Sequence, residues 1–122
     1  MKIAEVMTQD VTTIDADATV LDAAKRLTEK NIGMLPVSDG ERLLGTLTDR
    51  DIVVRVVAEN RDPAATPVNM IVSGPTKYCF EDEDTEHVAQ NMDDLLVRRL
   101  PVMSRDKRLV GIVSIDDLRP RK

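Results

Sequence analysis

Aromatic side chains are nearly missing from this chain: Tyr78 and Phe80 are the only two, and there is no tryptophan. That scarcity excludes a surface on which successive nucleic-acid bases stack. A single cysteine, Cys79, rules out an intramolecular disulfide and fits a reducing compartment. A single histidine, His87, leaves no zinc-like ligand set, so no metal is expected. No early stretch has the apolar core of a signal peptide and no run approaches the length of a membrane span, so a soluble cytoplasmic protein is expected. Positive charge is also in deficit, with 17 basic against 22 acidic residues for a net charge of −5, which argues against nucleic acid or anionic membrane as partner. The basic end Arg119-Pro120-Arg121-Lys122 reads as a solvated terminus.

What the chain does have is a duplication. Gly45-Thr46-Leu47-Thr48-Asp49-Arg50-Asp51-Ile52 is echoed by Gly111-Ile112-Val113-Ser114-Ile115-Asp116-Asp117-Leu118. Each reads as a glycine, a short strand, a hydroxyl residue three places before an aspartate, then an apolar helical run. Gly45 and Gly111 stand 66 residues apart, while Leu35-Pro36-Val37 and Leu100-Pro101-Val102 stand 65 apart. The extra residue falls between Val102 and Gly111, where a hairpin turn tolerates it. Two copies, residues 1–60 and 68–122 with a linker at 61–67, account for almost all of the 122 residues. One copy alone buries little surface, so the halves are expected to depend on each other. The 42% hydrophobic content supplies a core of Val, Ile, Leu, Met and Ala.

Taken in order, Met1–Met7 predicts a short helical turn and Val11–Ile14 a brief strand. Thr19 is a good N-cap for a helix over Val20 to about Asn31, with Val20, Ala23, Ala24 and Leu27 in helical period. Met34–Val37 and Leu43–Leu47 read as strands joined by a Ser38-Asp39-Gly40 turn. A second helix from Asp49 to about Glu59 is expected to face inward through Ile52, Val53, Val56 and Val57. The second copy repeats this: a turn at Val68–Ile71, the Ser73-Gly74-Pro75 turn, a strand at Lys77–Phe80, and a helix from Glu86 to about Leu96 with Val88, Met92 and Leu95 inward. Strands at Arg99–Met103 and Leu109–Val113 follow, then a last helix from Ser114 cut off by Pro120. Each copy is therefore β-α-β-β-α, an α+β arrangement.

The paired Leu-Pro-Val strands and glycine–hydroxyl–aspartate segments resemble the cystathionine β-synthase (CBS) domain, and the tandem resembles a Bateman module over the whole chain. The resemblance implies two repeats packed with pseudo-twofold symmetry, clefts between them, and disc-shaped homodimers. It implies an adenosine-containing ligand (AMP, ADP or ATP, with S-adenosylmethionine or NADH as further members of the class) and no required cofactor. Thr48 and Asp51 match the residues that contact ribose and phosphate in one cleft, and Ser114 and Asp117 those in the other. Arg98 and Arg99 match a phosphate-binding position, where copy one has Gly33 and Met34, so one cleft is expected to be cationic and the other apolar. Thr12, Thr13 and Ile14, and Tyr78, Cys79 and Phe80, occupy the strand that lines the adenine slot in the family. Met34, Pro36 and Pro101 border the same positions.

The residues themselves admit two uses. Thr48 or Ser114 with an acid three residues on is also a capping box. Aspartate has a shorter reach than the usual Glu or Gln, which favours a diol-binding use beside the exposed amides of a helix start. A guanidinium offers phosphate a bidentate fork, yet Arg98 and Arg99 also suit surface ion pairs. Arg50, Arg55 and His87 suit a solvated surface, Cys79 and the methionines core filling, and the prolines strand entry. Three functions follow. The first is a non-catalytic regulatory module that binds an adenosyl ligand and acts on an unknown protein target. The second is a ligand-free module for homodimerisation or protein interaction. The third, an enzyme, lacks a nucleophile–base pair, a metal cluster and a glycine-rich phosphate loop.

Overall fold

Leu35-Pro36-Val37 and Leu100-Pro101-Val102 are each followed by an apolar run carrying a buried glycine, and each pair forms the antiparallel hairpin of one sheet. The computed structural model of the chain describes residues 1–39, 42–72 and 77–119. The turn residue Gly40, the Ser73-Gly74-Pro75 turn, the Pro120 stop and the last two residues of the basic end lie outside them. The chain divides into two compact units, Thr12–Thr76 and Met1–Val11 with Lys77–Lys122.

In the first unit β1 (Ile14–Asp15) lies parallel to β2 (Met34–Ser38), which pairs antiparallel with β3 (Leu43–Thr48) in the order β1-β2-β3. The α1 helix (Val20–Lys30) connects β1 to β2, and α2 (Asp49–Ile52) follows β3. Thr19 caps α1 by accepting from the Asp22 N–H, and Asn31 closes it in the left-handed region at φ 52°, a conformation asparagine tolerates. Val20, Ala23 and Leu27 form the buried stripe expected from their spacing, packed on Leu35, Val37 and Leu47. The second unit repeats the plan with β4 (Cys79–Phe80), α3 (Thr85–Leu95), β5 (Arg99–Met103), β6 (Leu109–Ser114) and α4 (Ile115–Leu118) in the order β4-β5-β6. Its core is Ile3, Cys79, Val88, Ala89, Met92, Leu100, Val102, Val113 and Leu118.

The opening turns are exchanged. The 3-10 turn at Ile3–Glu5 starts the first repeat in sequence but belongs to the second unit, where Ile3 N–H donates to Glu83 O (2.9 Å) and Ala4 N–H to Glu81 O (2.9 Å). The 3-10 turn at Val68–Met70 belongs to the first unit, with Val68 N–H to Ala18 O at 2.8 Å and Asn69 N–H to Ala16 O at 3.1 Å. Ile3 and Val68 are both fully buried in the cores they join. Each repeat thus supplies the other unit with a core residue and with backbone bonds beside it.

Three inward assignments are corrected. Beyond Ile52 the helix widens into a π-helix over Val53–Val57, with Ala58 N–H donating to Val53 O five residues back at 2.9 Å. The wider turn breaks the 3.6-residue stripe, so Val56 is buried while Val53 and Val57 are 57% and 66% exposed. Leu95, the last residue of α3, is 42% exposed because Met92 already fills the final inward position. The first strand of each unit is also shorter than expected: β1 begins only at Ile14 and β4 only at Cys79.

Gly111 is packed against the exchanged N-terminal segment. A Cβ there would stand 2.7 Å from Met7 Sδ and 2.9 Å from Thr8 O, and Thr8 forms two backbone bonds with Ile112. Gly111→Ala is therefore expected to destabilise the protein by about 1–3 kcal/mol, whereas Val57→Ala should change folding stability by about 0.5 kcal/mol or less. Urea unfolding followed by circular dichroism checks both.

Candidate functional site

Each hairpin ends at a corner where a strand gives way to a four-residue helix, and the duplicated hydroxyl–aspartate segment forms that corner. At the first, Asp51 N–H donates to Thr48 Oγ1 (3.1 Å) and Thr48 N–H donates to Asp51 Oδ2 (2.9 Å). At the second, Asp117 N–H donates to Ser114 Oγ (3.2 Å) and Ser114 N–H to Asp117 Oδ2 (2.9 Å). Both corners are reciprocal capping boxes, so aspartate does reach back to the amide of the hydroxyl residue. All four residues are half-buried, and each carboxylate is anchored through Oδ2.

Strand register sets what faces each corner. Met34 pairs with Thr48, and Arg99 pairs with Ser114. Met34 is buried and Arg99 exposed, so an apolar residue pairs with the first corner and a cationic one with the second. Arg98 forms an exposed ion pair with Asp116 at 3.8 Å, and its carbonyl accepts the Ile115 N–H at 2.8 Å, which binds it to the start of α4. Arg50 is exposed, and exposed Arg55 donates to Ile71 O at 2.9 Å, tying the π-helix to the exchanged turn. Pro36 and Pro101 are buried in central strands, a place a proline rarely occupies. The short first strands explain it. They begin opposite Val37 and Val102, one residue beyond each proline, so each proline has a partner strand on one side only.

The residues expected to line a base slot lie at the first strand of each unit. Thr12 and Thr13 are half-buried before β1, and Thr13 O accepts from Arg26 Nη1 at 2.6 Å. Tyr78 and Cys79 line a cavity of about 220 Å³ between β4 and α3, together with Val88, Asn91, Leu95 and Leu100. Neither Ser114 nor Asp117 is among the described residues lining it. Tyr78 is edge-on to Phe80 with ring centroids 5.5 Å apart, and the Arg105 guanidinium lies 4.0 Å from the Phe80 centroid while gripping Asp82. That grip holds the Asp82 carboxyl below its usual range. Cys79 is buried, and desolvation, with a smaller push from Glu83, raises its thiol to about 12. His87 is exposed and 3.3 Å from Asn91.

Sequence reasoning missed the helix side of these first strands. An equivalent groove of about 270 Å³ in the first unit is lined by Ile14, Asp15, Asp22, Lys25, Arg26 and Glu29, among others. Its signal was present in the 65-residue offset, which aligns α1 with α3 residue by residue.

A family model described as CBS domain matches the chain twice, at residues 3–58 and 68–120. Over 116 residues the chain is 35% identical to the CBS domain-containing protein YhcV of Bacillus subtilis (strain 168), a match covering 95% of this chain and 81% of that one. Its structure is similar to that of TA0289, a conserved CBS domain protein from Thermoplasma acidophilum, with a TM-score of 0.90 and 28% identity, covering 100% of this chain and 70% of that one. It is similar as well to the CBS domain pair of protein MJ0100, solved in complex with 5-methylthioadenosine and S-adenosyl-L-methionine, with a TM-score of 0.85 and 27% identity over 97% of this chain and 92% of that one.

Loss of a cap should be measurable in isolation: Ser114→Ala is expected to cost about 1 kcal/mol of stability by denaturant titration. With its thiol protonated at neutral pH and shielded from solvent, Cys79 should resist a disulfide-exchange reagent in the folded protein and react at once in denaturant. A spectrophotometric thiol assay with and without guanidinium reads the difference.

Proposed function

The chain belongs to the CBS-domain family, with two copies in tandem, and from that membership we propose that it is a non-catalytic regulatory module that binds an adenosine-containing ligand. The observation that carries this reading is the twice-built corner, Thr48 with Asp51 and Ser114 with Asp117. Each presents a hydroxyl and a carboxylate whose direction is set by backbone bonds, a fit to the cis-diol of a ribose. The similar pair of MJ0100, which holds S-adenosyl-L-methionine and 5-methylthioadenosine, supports the adenosyl class.

The corners select different ligands. Arg98 and Arg99 beside Ser114 suit the phosphates of AMP, ADP or ATP, since a guanidinium pairs with phosphate through two parallel bonds. Met34 beside Thr48 suits an adenosyl group without phosphate, such as S-adenosylmethionine. Thr12 and Thr13, half-buried before β1, are the adenine contacts at the apolar corner. Regulation follows from linkage: a ligand that binds one conformation of the module better than another shifts the balance, and a protein target that reads that conformation is coupled to it. The groups most suited to chemistry support a non-catalytic role, because Cys79 is buried and protonated and His87 is held by Asn91 at the surface.

The exposed valines favour a second reading, homodimerisation without ligand. Val53, Val54 and Val57 on the π-helix are 57%, 47% and 66% exposed, an apolar strip suited to a second copy. A dimer by light scattering with no thermal shift from any adenosyl ligand would favour it over nucleotide binding.

Calorimetric titration with AMP, ADP, ATP and S-adenosylmethionine tests the leading reading. At least one is expected to bind in the micromolar range, about 8 kcal/mol. Asp117→Asn keeps an oxygen for the cap but removes the charge, and it should weaken phosphate-bearing ligands. Asp51→Asn should weaken S-adenosylmethionine. Tight binding unchanged by both substitutions would place the ligand elsewhere.

A further inference from the structure

The duplication supplies an internal control for every position, and one groove departs from its twin in a directed way. Thr13, Ala18, Arg26, Lys30 and Asn31 of the first unit correspond to Tyr78, Glu83, Asn91, Leu95 and Leu96 of the second, all at an offset of 65. In the first unit the groove between β1 and α1 is rimmed by charges of both signs, Lys25 and Arg26 against Asp15, Asp22 and Glu29. Arg26 also crosses to Thr13 O at 2.6 Å, so that groove satisfies itself.

The second-unit groove between β4 and α3 has the opposite character. Val88, Leu95, Leu100 and the Cys79 thiol give it an apolar floor, and Tyr78 stands at its side. Its only charged lining groups are the carboxylates of Glu83 and Asp94, with no lysine or arginine among the described lining residues. Asn91, in the place of Arg26, is 3.3 Å from His87 instead of crossing to the strand. Leu95 of the lining is 42% exposed, and the next residue, Leu96, is 91% exposed. Leu96 holds φ 57° in the left-handed region, where its twin Asn31 sits at φ 52°. Asparagine is enriched in that conformation, and a leucine there is both strained and wetted. Folding alone does not ask for this residue.

We propose that the β4–α3 groove is a docking site for a segment of a partner protein that presents an aliphatic side chain flanked by lysine or arginine. The aliphatic group enters the cavity of about 220 Å³ beside Leu95 and Leu100, a volume of side-chain rather than domain scale. Its basic neighbours meet Glu83 and Asp94, the two carboxylates of the lining, of which Glu83 also feels the charge of Arg105 and Asp94 accepts from Gln90 Nε2 at 3.1 Å. Leu96 covers the bound segment from the helix end, as an apolar rim that excludes water around an anchor. This site is distinct from the hydroxyl–aspartate corners and does not rest on their binding a nucleotide.

The twin provides the test variant. Leu95→Lys with Leu96→Asn installs the residues that the first unit already folds with. The probes are short fluorescent peptides with a Leu-Leu centre between Lys-Arg pairs, the same centre between Asp-Glu pairs, and a Ser-Ser centre between Lys-Arg pairs, read by fluorescence anisotropy. The first peptide is expected to bind at least about tenfold more tightly than either control, and the double variant to lose about tenfold in affinity. The variant should melt at the same or a higher temperature and titrate adenosyl ligands unchanged. Glu83→Gln with Asp94→Asn should weaken the peptide and flatten its salt dependence. Equal binding of all three peptides, or full affinity in the leucine variant, overturns the proposal. So does loss of adenosyl binding in that variant, which would assign the groove to the nucleotide, or loss of a wild-type dimer, which would assign it to self-association.

Discussion

A two-way bond between a side chain and the backbone, made twice, is what the rest of this structure depends on. α4 is four residues long and α2 runs four before it widens into the π-helix, both too short to persist on helical propensity alone. The capping boxes of Thr48 with Asp51 and Ser114 with Asp117 hold them by satisfying amides at each helix start. The same bonds fix the carboxylates against the strand ends. Whatever these corners bind therefore meets groups that were ordered during folding, which lowers the entropy that binding must overcome.

The exchange of opening turns makes the duplication cooperative. Ile3 sits in the core built around the second repeat, and Val68 in the core built around the first. A repeat cut out at its sequence boundaries would lose a fully buried residue and the backbone bonds beside it. About sixty residues bury a modest fraction of their surface, so that loss matters more here than in a large domain. The linker residues take part as well: Thr66 is buried, its hydroxyl donates to Asp62 O at 2.8 Å, and its carbonyl accepts from Val20 at the start of α1.

Duplicated chains also show where selection for packing ends. Core positions of the two units remain interchangeable in kind: Val20 and Thr85, Leu35 and Leu100, Val37 and Val102, Leu47 and Val113 are all buried. Positions that face the corners and grooves have diverged in charge, with Met34 against Arg99 and Arg26 against Asn91. Packing density constrains the first set to similar volumes. No such constraint acts on the second, so charge there is free to differ between the units.

The sequence by itself determined the element order and the corners. Glycines, prolines and apolar periods are local signals, and two copies of each removed the ambiguity of one. Thr19, Thr48 and Ser114 were readable as helix starts because capping is a matter of residues three apart. Tertiary structure decided the rest. The π-helix that turns Val53 and Val57 outward arises from the backbone bond between Ala58 and Val53, and no residue type announces it. The exchange of Ile3 and Val68, and the groove that brings Tyr78 to Leu95, depend on contacts between residues distant in the chain. A repeating pattern states which residues want to be buried; only the folded chain settles which neighbour buries them.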